Sequence, residues 1–258
     1  MKPYRSIADW HALRDALGDR TLGLVPTMGA LHPGHLSLVQ RSQRENAVTV
    51  VSIFVNPTQF DQPDDLDRYP RQTEDDLALL RDAAVDAVFL PTREEIYPDA
   101  YLYRICESEL SRKLCGAHRP GHLDGMLTVV MKLLNIVQPN RAYFGEKDYQ
   151  QLLLVRGMVQ AFFMDVDIVA CPIVREPDGL AMSSRNQNLD AAQRRLAPSL
   201  HQVLRESTDT ESAQTRLQQL GFDVDYVEDF KGRRLAAVRL GGTRLIDNVG
   251  IELPGHAS

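Results

Sequence analysis

The residues best equipped for chemistry are His32 and His35, set two apart in the run Pro26-Thr27-Met28-Gly29-Ala30-Leu31-His32-Pro33-Gly34-His35-Leu36. Apolar residues 22–25 precede the run and Leu36-Ser37-Leu38-Val39 follow it, so a strand is expected to pass through a tight turn into a helix. First-turn N–H groups lack partners within a helix, and the helix dipole favours negative charge there. A phosphate arriving at residues 34–36 is therefore expected to meet aligned backbone donors. Gly29 and Gly34 allow close backbone approach. Both imidazoles can donate to the same anion, and a ring protonated near neutral pH adds a charge that can be gained or lost.

A second set of donors lies further along. Gly145-Glu146-Lys147-Asp148 ends another expected strand and presents a lysine where the first turn presents histidines, and Ser183-Ser184-Arg185 follows Met182. Taken together, imidazole, ammonium, guanidinium and hydroxyl groups suit a triphosphate and stabilise pyrophosphate as it leaves. Asn56, Gln59 and Gln151 form an uncharged set. An amide donates to one oxygen and accepts from a hydroxyl, which fits a hydroxy acid. If that acid's carboxylate attacks an α-phosphorus, a glutamine orients it with less loss of nucleophilicity than an arginine pair would. His122 either joins this site or caps the helix that follows it. Glu74, Asp75 and Asp76 either complement a helix dipole or hold a metal ion.

Other chemistries lack their motifs. No Gly-x-x-x-x-Gly-Lys-Ser/Thr loop is present, no Gly-x-Gly-x-x-Gly follows a strand, and no Gly-x-Ser-x-Gly elbow occurs. His32 and His35 have no evident further zinc ligands, and no residue reads as an activated nucleophile.

The elements that must position these groups alternate. Residues 7–17 read as an amphipathic helix with Trp10 and Leu13 inward, 36–45 as a helix, and 48–55 as a strand buried on both faces. Residues 61–70 read as a loop over the site, 72–84 as a helix with Thr73 as its cap, and 87–90 as a strand. Residues 94–115 stay unassigned, with turns and an edge element near 101–105. An apolar helix over 126–137, a strand over 142–144, a helix over 149–162 and a strand over 166–174 complete the series. Such alternation implies an α/β fold built on a Rossmann-like parallel sheet, whose ligands bind beyond the carboxyl ends of its strands. After residue 174 the pattern changes to helices at 189–204 and 212–220 and short strands at 223–227, 235–240 and 243–247. Gly241-Gly242 joins the last two as a hairpin. The expected division is a nucleotide-binding catalytic domain, 1–174, and a small α+β C-terminal domain, 175–258, with the catalytic cleft between them.

At 258 residues, 43% of them hydrophobic, the chain can bury a normal core. A net charge of −6 and a pI near 5.7 argue against nucleic-acid or membrane-surface binding, which needs a basic face. Cys106, Cys115 and Cys171 make neither a disulfide framework nor a Cys-based zinc site and fit a reducing cytoplasm. Residues 1–16 lack the apolar core of a signal peptide, and no stretch reaches the ~20 apolar residues of a membrane span.

His-x-Gly-His at a strand-to-helix turn is the signature of the nucleotidylyltransferase superfamily. Together with Phe54-Val55-Asn56-Pro57-Thr58-Gln59-Phe60, Gly145-Glu146-Lys147-Asp148-Tyr149-Gln150-Gln151 and Met182-Ser183-Ser184-Arg185-Asn186, it resembles the pantoate–β-alanine ligase family over most of residues 20–190. The resemblance implies that pantoate attacks the α-phosphorus of ATP to give a pantoyl adenylate and pyrophosphate, after which the β-alanine amine releases AMP. It implies that Met28, Gly29, Ala30, Leu31, His32, Pro33, Gly34 and His35 bind ATP, together with Gly145, Glu146, Lys147, Asp148, Val174, Met182, Ser183, Ser184 and Arg185. It makes His35 the proton-donating histidine, sets His32 beside it on the phosphates, gives Lys147 the charge that builds up there, and gives pantoate to Gln59 and Gln151. It also implies magnesium with ATP, a cytoplasmic location and a homodimer. Leu123 and Met126 depart from a His-Phe-x-Gly-Val run, residues 61–65 replace a Gly-Pro-Asn type of loop, and the C-terminal domain is short. The rival readings are a nucleotidylyltransferase that passes AMP to a phosphorylated acceptor and a nucleotide sensor without turnover.

Overall fold

The first sheet has six strands: β1 (Pro3–Tyr4), β2 (Leu22–Thr27), β3 (Val48–Ile53), β4 (Ala87–Phe89), β5 (Arg141–Gly145) and β6 (Asp167–Cys171). In this computed structural model, which describes residues 2–61 and 63–251, the strands lie in the order β1-β4-β3-β2-β5-β6, every pair parallel. β3 is buried at every position, as its nearly continuous β-branched run requires. β2 pairs with β3 along its whole length, but with β5 only at Gly23 opposite Arg141 and Leu24 opposite Ala142. Pro26 has no N–H to give. Beyond Leu24, β2 and β5 part toward their carboxyl ends, where the strand order reverses and an α/β sheet opens a crevice for ligand.

Helices α1 (Ile7–Leu17), α2 (Pro33–Glu45), α3 (Pro63–Asp67), α4 (Thr73–Asp82), α5 (Arg93–Ile96), α6 (Cys115–His118), α7 (His122–Val137) and α8 (Tyr149–Ala161) connect the strands. Val25, Val39, Val51, Leu80, Val88 and Tyr143 form one core, and Trp10 lies fully buried against Tyr4 and Phe89. The chain divides into two compact units, Met1–Glu146 with Gln150–Pro172, and Lys147–Tyr149 with Ile173–Ser258. The second unit contains α9 (Ala191–Leu196), α10 (Ser199–Glu206), α11 (Thr210–Gln219) and an antiparallel sheet of β7 (Asp223–Phe230), β8 (Arg233–Leu240) and β9 (Thr243–Gly250). Leu200, Val203 and Leu217 pack on Ala236, Val238 and Leu245. The fold is thus an α/β parallel-sheet unit followed by a small α+β unit.

Several local expectations need correction. α2 begins at Pro33 because proline suits a first helical position, its missing N–H being unneeded there. The helix expected over 189–204 is two helices, since Pro198 cannot donate to the turn before it. Gln72, not Thr73, precedes α4 as its cap. Residues 94–115 hold most of α5, a 3-10 turn at Leu110–Arg112 and the first residue of α6, with no strand. Segment 61–70 is in part the short helix α3, with Tyr69 buried against Phe60; Gln62 lies outside the described residues. A second hairpin joins Phe230 to Arg233 through left-handed Lys231 and Gly232, and the short β1 was not anticipated.

Candidate functional site

The turn from β2 to α2 is held from below. Thr27 Oγ1 donates to the Ser52 carbonyl at 2.8 Å and accepts from Gly29 N at 3.2 Å. Gly29 and Ala30 then take left-handed conformations, with φ of 80° and 50°. Such a pair turns consecutive N–H groups inward, and Asp76 of α4 receives them. Its Oδ2 accepts from Ala30 N at 2.9 Å and its Oδ1 from Leu31 N at 2.7 Å. Asp76 is 3% exposed, and burial raises its carboxyl pKa against the pull of the two donors. A Cβ on Gly29 would lie 2.9 Å from Asp76 Oδ2, so glycine is required by both conformation and space. Of the acidic trio at the start of α4, Asp76 is therefore a turn anchor. Among the described residues no group of three or more His, Cys, Asp or Glu side chains is placed to hold a metal ion.

The start of α2 overturns the expectation that its backbone N–H groups await a phosphate. Pro33 has none. Gly34 N donates to His32 Nδ1 at 3.1 Å, while His35 N and Leu36 N donate to the His32 carbonyl at 2.8 and 3.2 Å. His35 Nδ1 reaches back to accept from His32 N at 3.3 Å, so the two imidazoles form a reciprocal capping box. This pattern assigns the tautomer. A ring nitrogen that accepts from an N–H carries no proton, so both Nδ1 atoms are bare and both rings present Nε2–H. The rings lie with centroids 4.0 Å apart at the helix start.

The carboxyl end of β3 supplies the amides. Asn56 precedes the 3-10 turn Pro57–Gln59; its Nδ2 donates to Gln59 Oε1 at 3.0 Å and to the Gly125 carbonyl at 3.1 Å. Its Oδ1 accepts from Tyr97 OH at 2.7 Å and Thr58 Oγ1 at 2.9 Å. At 1% exposure, with all these bonds made, Asn56 has both polar atoms of its amide engaged by protein partners. Its work is to orient Gln59, whose Nε2 lies 3.1 Å from Met28 Sδ. The Tyr97 hydroxyl, pushed up to about 12 by burial, stays a donor. His122 is not the cap of α7, a place taken by Gly121. Its Nδ1–H donates to the Gln59 carbonyl at 2.6 Å, and its Nε2 receives Arg119, which also pairs with Asp61 at 2.8 Å. Gln151 is half-buried, whereas its neighbour Gln150 is consumed by the backbone of Leu110, Lys113 and Cys115.

The remaining expected residues, apart from Gly145 and Glu146, belong to the second unit. Lys147, 19% exposed at its side chain, has Nζ 3.9 Å from Asp148. Val174 accepts from Met182 N at 3.0 Å, and Ser183 caps the 3-10 helix Ser184–Asn188 by accepting from Arg185 N. Met182, Ser183 and Arg185 are half-buried, and Ser184 is buried. The structure thus gathers Met28, the histidine turn, Asn56 and Gln59 in the first unit and Lys147, Val174 and 182–185 in the second. Tyr97 and Arg119 were not singled out, and Asp76 was weighed as a helix-dipole partner or a metal ligand, not as the anchor of the turn.

Against known families, residues 2–250 match a family model described as pantoate-beta-alanine ligase. A pantothenate synthetase of Legionella pneumophila (strain Corby) is 50% identical over 249 residues, covering 96% of this chain and 99% of that protein. One of Bdellovibrio bacteriovorus is 53% identical over 231 residues, covering 90% and 92%. A crystal structure of pantoate-beta-alanine ligase from Francisella tularensis, complexed with beta-gamma ATP and beta-alanine, superposes with a TM-score of 0.93 at 42% identity, covering 97% of each chain.

Proposed function

The chain belongs to the pantoate–β-alanine ligase family, and from that membership we propose how its residues carry out the ATP-dependent condensation of pantoate with β-alanine. A pantoate carboxylate oxygen attacks the α-phosphorus of ATP, forming a pantoyl adenylate and releasing pyrophosphate. The β-alanine amine then attacks the acyl carbon, loses a proton and releases AMP. Gln59 and Gln151 hold pantoate through neutral amides, which orient the carboxylate without drawing its electrons away. The Nε2–H groups of His32 and His35 donate to the phosphate oxygens where charge develops, and Lys147 offsets that charge. Met28 to His35, Gly145 to Asp148, Val174 and Met182 to Arg185 bind ATP, within a catalytic domain of residues 1–174 and a smaller domain of 175–258. Magnesium enters as the ATP complex, held by phosphate oxygens. The protein works in the cytoplasm as a homodimer.

The observation that carries this reading is the tie of Gln59 Nε2 to Met28 Sδ at 3.1 Å, which sets a neutral, pre-oriented amide beside the histidine turn. A phosphorylated acceptor would call for cations at that position. The test is product analysis. Sustained AMP formation should require both pantoate and β-alanine, and pantoate alone should support exchange of labelled pyrophosphate into ATP. AMP transfer to a phosphate ester in place of pantoate would overturn the reading.

A further inference from the structure

The second unit contains a buried polar chain that ends on the backbone of Lys147. Asn248, in β9 and 1% exposed, donates from Nδ2 to the Lys147 carbonyl at 3.1 Å. Its Oδ1 accepts from Arg233 Nε at 2.5 Å. Arginine can only donate, so this contact fixes which end of the amide faces which neighbour and leaves Nδ2 directed at the carbonyl. Arg233 also sits 5.0 Å over the ring of Tyr149, a second hold on the same three-residue segment. Behind Asn248, Asp247 Oδ1 accepts from Asn248 N at 2.7 Å, and Arg175 clamps the Asp247 carboxylate with bonds of 2.7 and 2.9 Å while donating to the Asn248 carbonyl at 3.3 Å. Lys147–Tyr149 accordingly groups with Ile173–Ser258 rather than with the strand that leads into it.

We infer that Asn248 is a positioning residue for Lys147, fixing from β9 the peptide on which the ammonium is carried. A lysine side chain has four rotatable bonds and little shape of its own, so the place of its charge depends on how firmly its backbone is held. A hydrogen bond from a buried, doubly anchored amide supplies that hold. The small C-terminal sheet thereby acts in the reaction through the lysine. The inference rests on the reading that Lys147 offsets charge on the phosphates.

The test is a double-mutant cycle on the full chain, reading kcat, the KM values for ATP, pantoate and β-alanine, and urea unfolding. Asn248→Ala should lower kcat by about 10- to 100-fold through a misplacement on the order of 1 Å, with pantoate KM unchanged. Asn248→Asp, which keeps the shape and the Arg233 contact but turns an acceptor toward the Lys147 carbonyl, should fall as far, and it serves if the alanine variant does not fold. Lys147→Ala should lose more than either, and the double variant should be no slower than Lys147→Ala alone. Losses that multiply, a wild-type kcat in both Asn248 variants, or a pantoate KM that rises with the fall in kcat would overturn the inference while the lysine assignment stands. A wild-type rate for Lys147→Ala would overturn both.

Discussion

His32 performs two tasks with its two nitrogens, and one substitution separates them. Nδ1 accepts from Gly34 N at 3.1 Å, which caps α2, while Nε2 carries the proton assigned to the phosphates. Asparagine places Oδ1 where histidine places Nδ1, two bonds beyond Cβ, and is itself a preferred helix cap. His32→Asn should therefore unfold within about 0.5 kcal/mol of wild type, whereas His32→Ala, with the Gly34 N–H uncapped, should lose about 1 kcal/mol. Neither variant retains the Nε2 donor, so both should lose about 100- to 1,000-fold in kcat, the usual loss for one preorganised donor to developing charge. Urea unfolding gives the first quantity and continuous pyrophosphate release the second. Equal destabilisation of the two variants would refute the cap, and a fast His32→Asn would refute the role of Nε2.

Asp76→Asn keeps one acceptor but turns an NH2 group against the second backbone N–H, so it should cost about 1–3 kcal/mol in urea at neutral pH; an unchanged midpoint would refute the turn-anchor role. Burial raises the folded carboxyl pKa, so the stability linked to Asp76 is present below the ordinary value of about 3.9 and is lost as pH rises through the raised value, a decline that midpoints against pH should show for wild type and not for Asp76→Asn. A Cβ on Gly125 would lie 2.2 Å from the Thr58 carbonyl oxygen and 2.8 Å from Gln59 N, so Gly125→Ala must push the amide turn back by roughly 1 Å and should lower kcat/KM for pantoate by about 10- to 100-fold; an unchanged value would mean that Gln59 does not set pantoate binding. Cys171, buried, with its thiol pushed up to about 11 by that burial, should resist a thiol reagent at mildly alkaline pH until the protein unfolds, whereas exposed Cys106 should react in the native state, as peptide mapping of the labelled protein would show.

The sheet was legible because burial on both faces writes itself as a nearly continuous apolar, β-branched run, as in 48–53, and because each such run ended in a glycine or proline turn. The short pair Pro3–Tyr4 carries no such pattern; only its place beside β4 makes it a strand. At the site, residue types at strand ends pointed to the histidine turn, Gln59 and Lys147, since architecture alone sends them to the carboxyl edge. What stayed hidden was long-range pairing. Nothing local tells that Asp76 meets Ala30 and Leu31, that Arg119 and His122 grip the Gln59 carbonyl, or that Asn248 reaches Lys147 across 101 positions. The tie of Asn56 to Tyr97 was hidden for the same reason, because a polar residue at a strand end looks the same whatever it faces.

The histidine cap also bears on how pyrophosphate departs. Rings whose centres lie 4.0 Å apart are poorly placed to be charged together, since two like charges at that separation repel by about 4 kcal/mol at an effective dielectric of 20. Protonating either Nδ1 would also turn a donor toward a backbone N–H and undo the start of α2. Under the proposed assignment the pair meets the phosphates as neutral donors, and net charge compensation falls to Lys147. That division suits a reaction whose first product carries more charge on fewer atoms than its substrate. Fixed neutral dipoles gain strength as charge gathers on the leaving oxygens, yet they hold the finished product less tightly than two imidazolium ions would. A site that relied on charged rings would favour bound pyrophosphate and return to ATP, whereas one that relies on capped neutral rings lets the adenylate go forward to the amine.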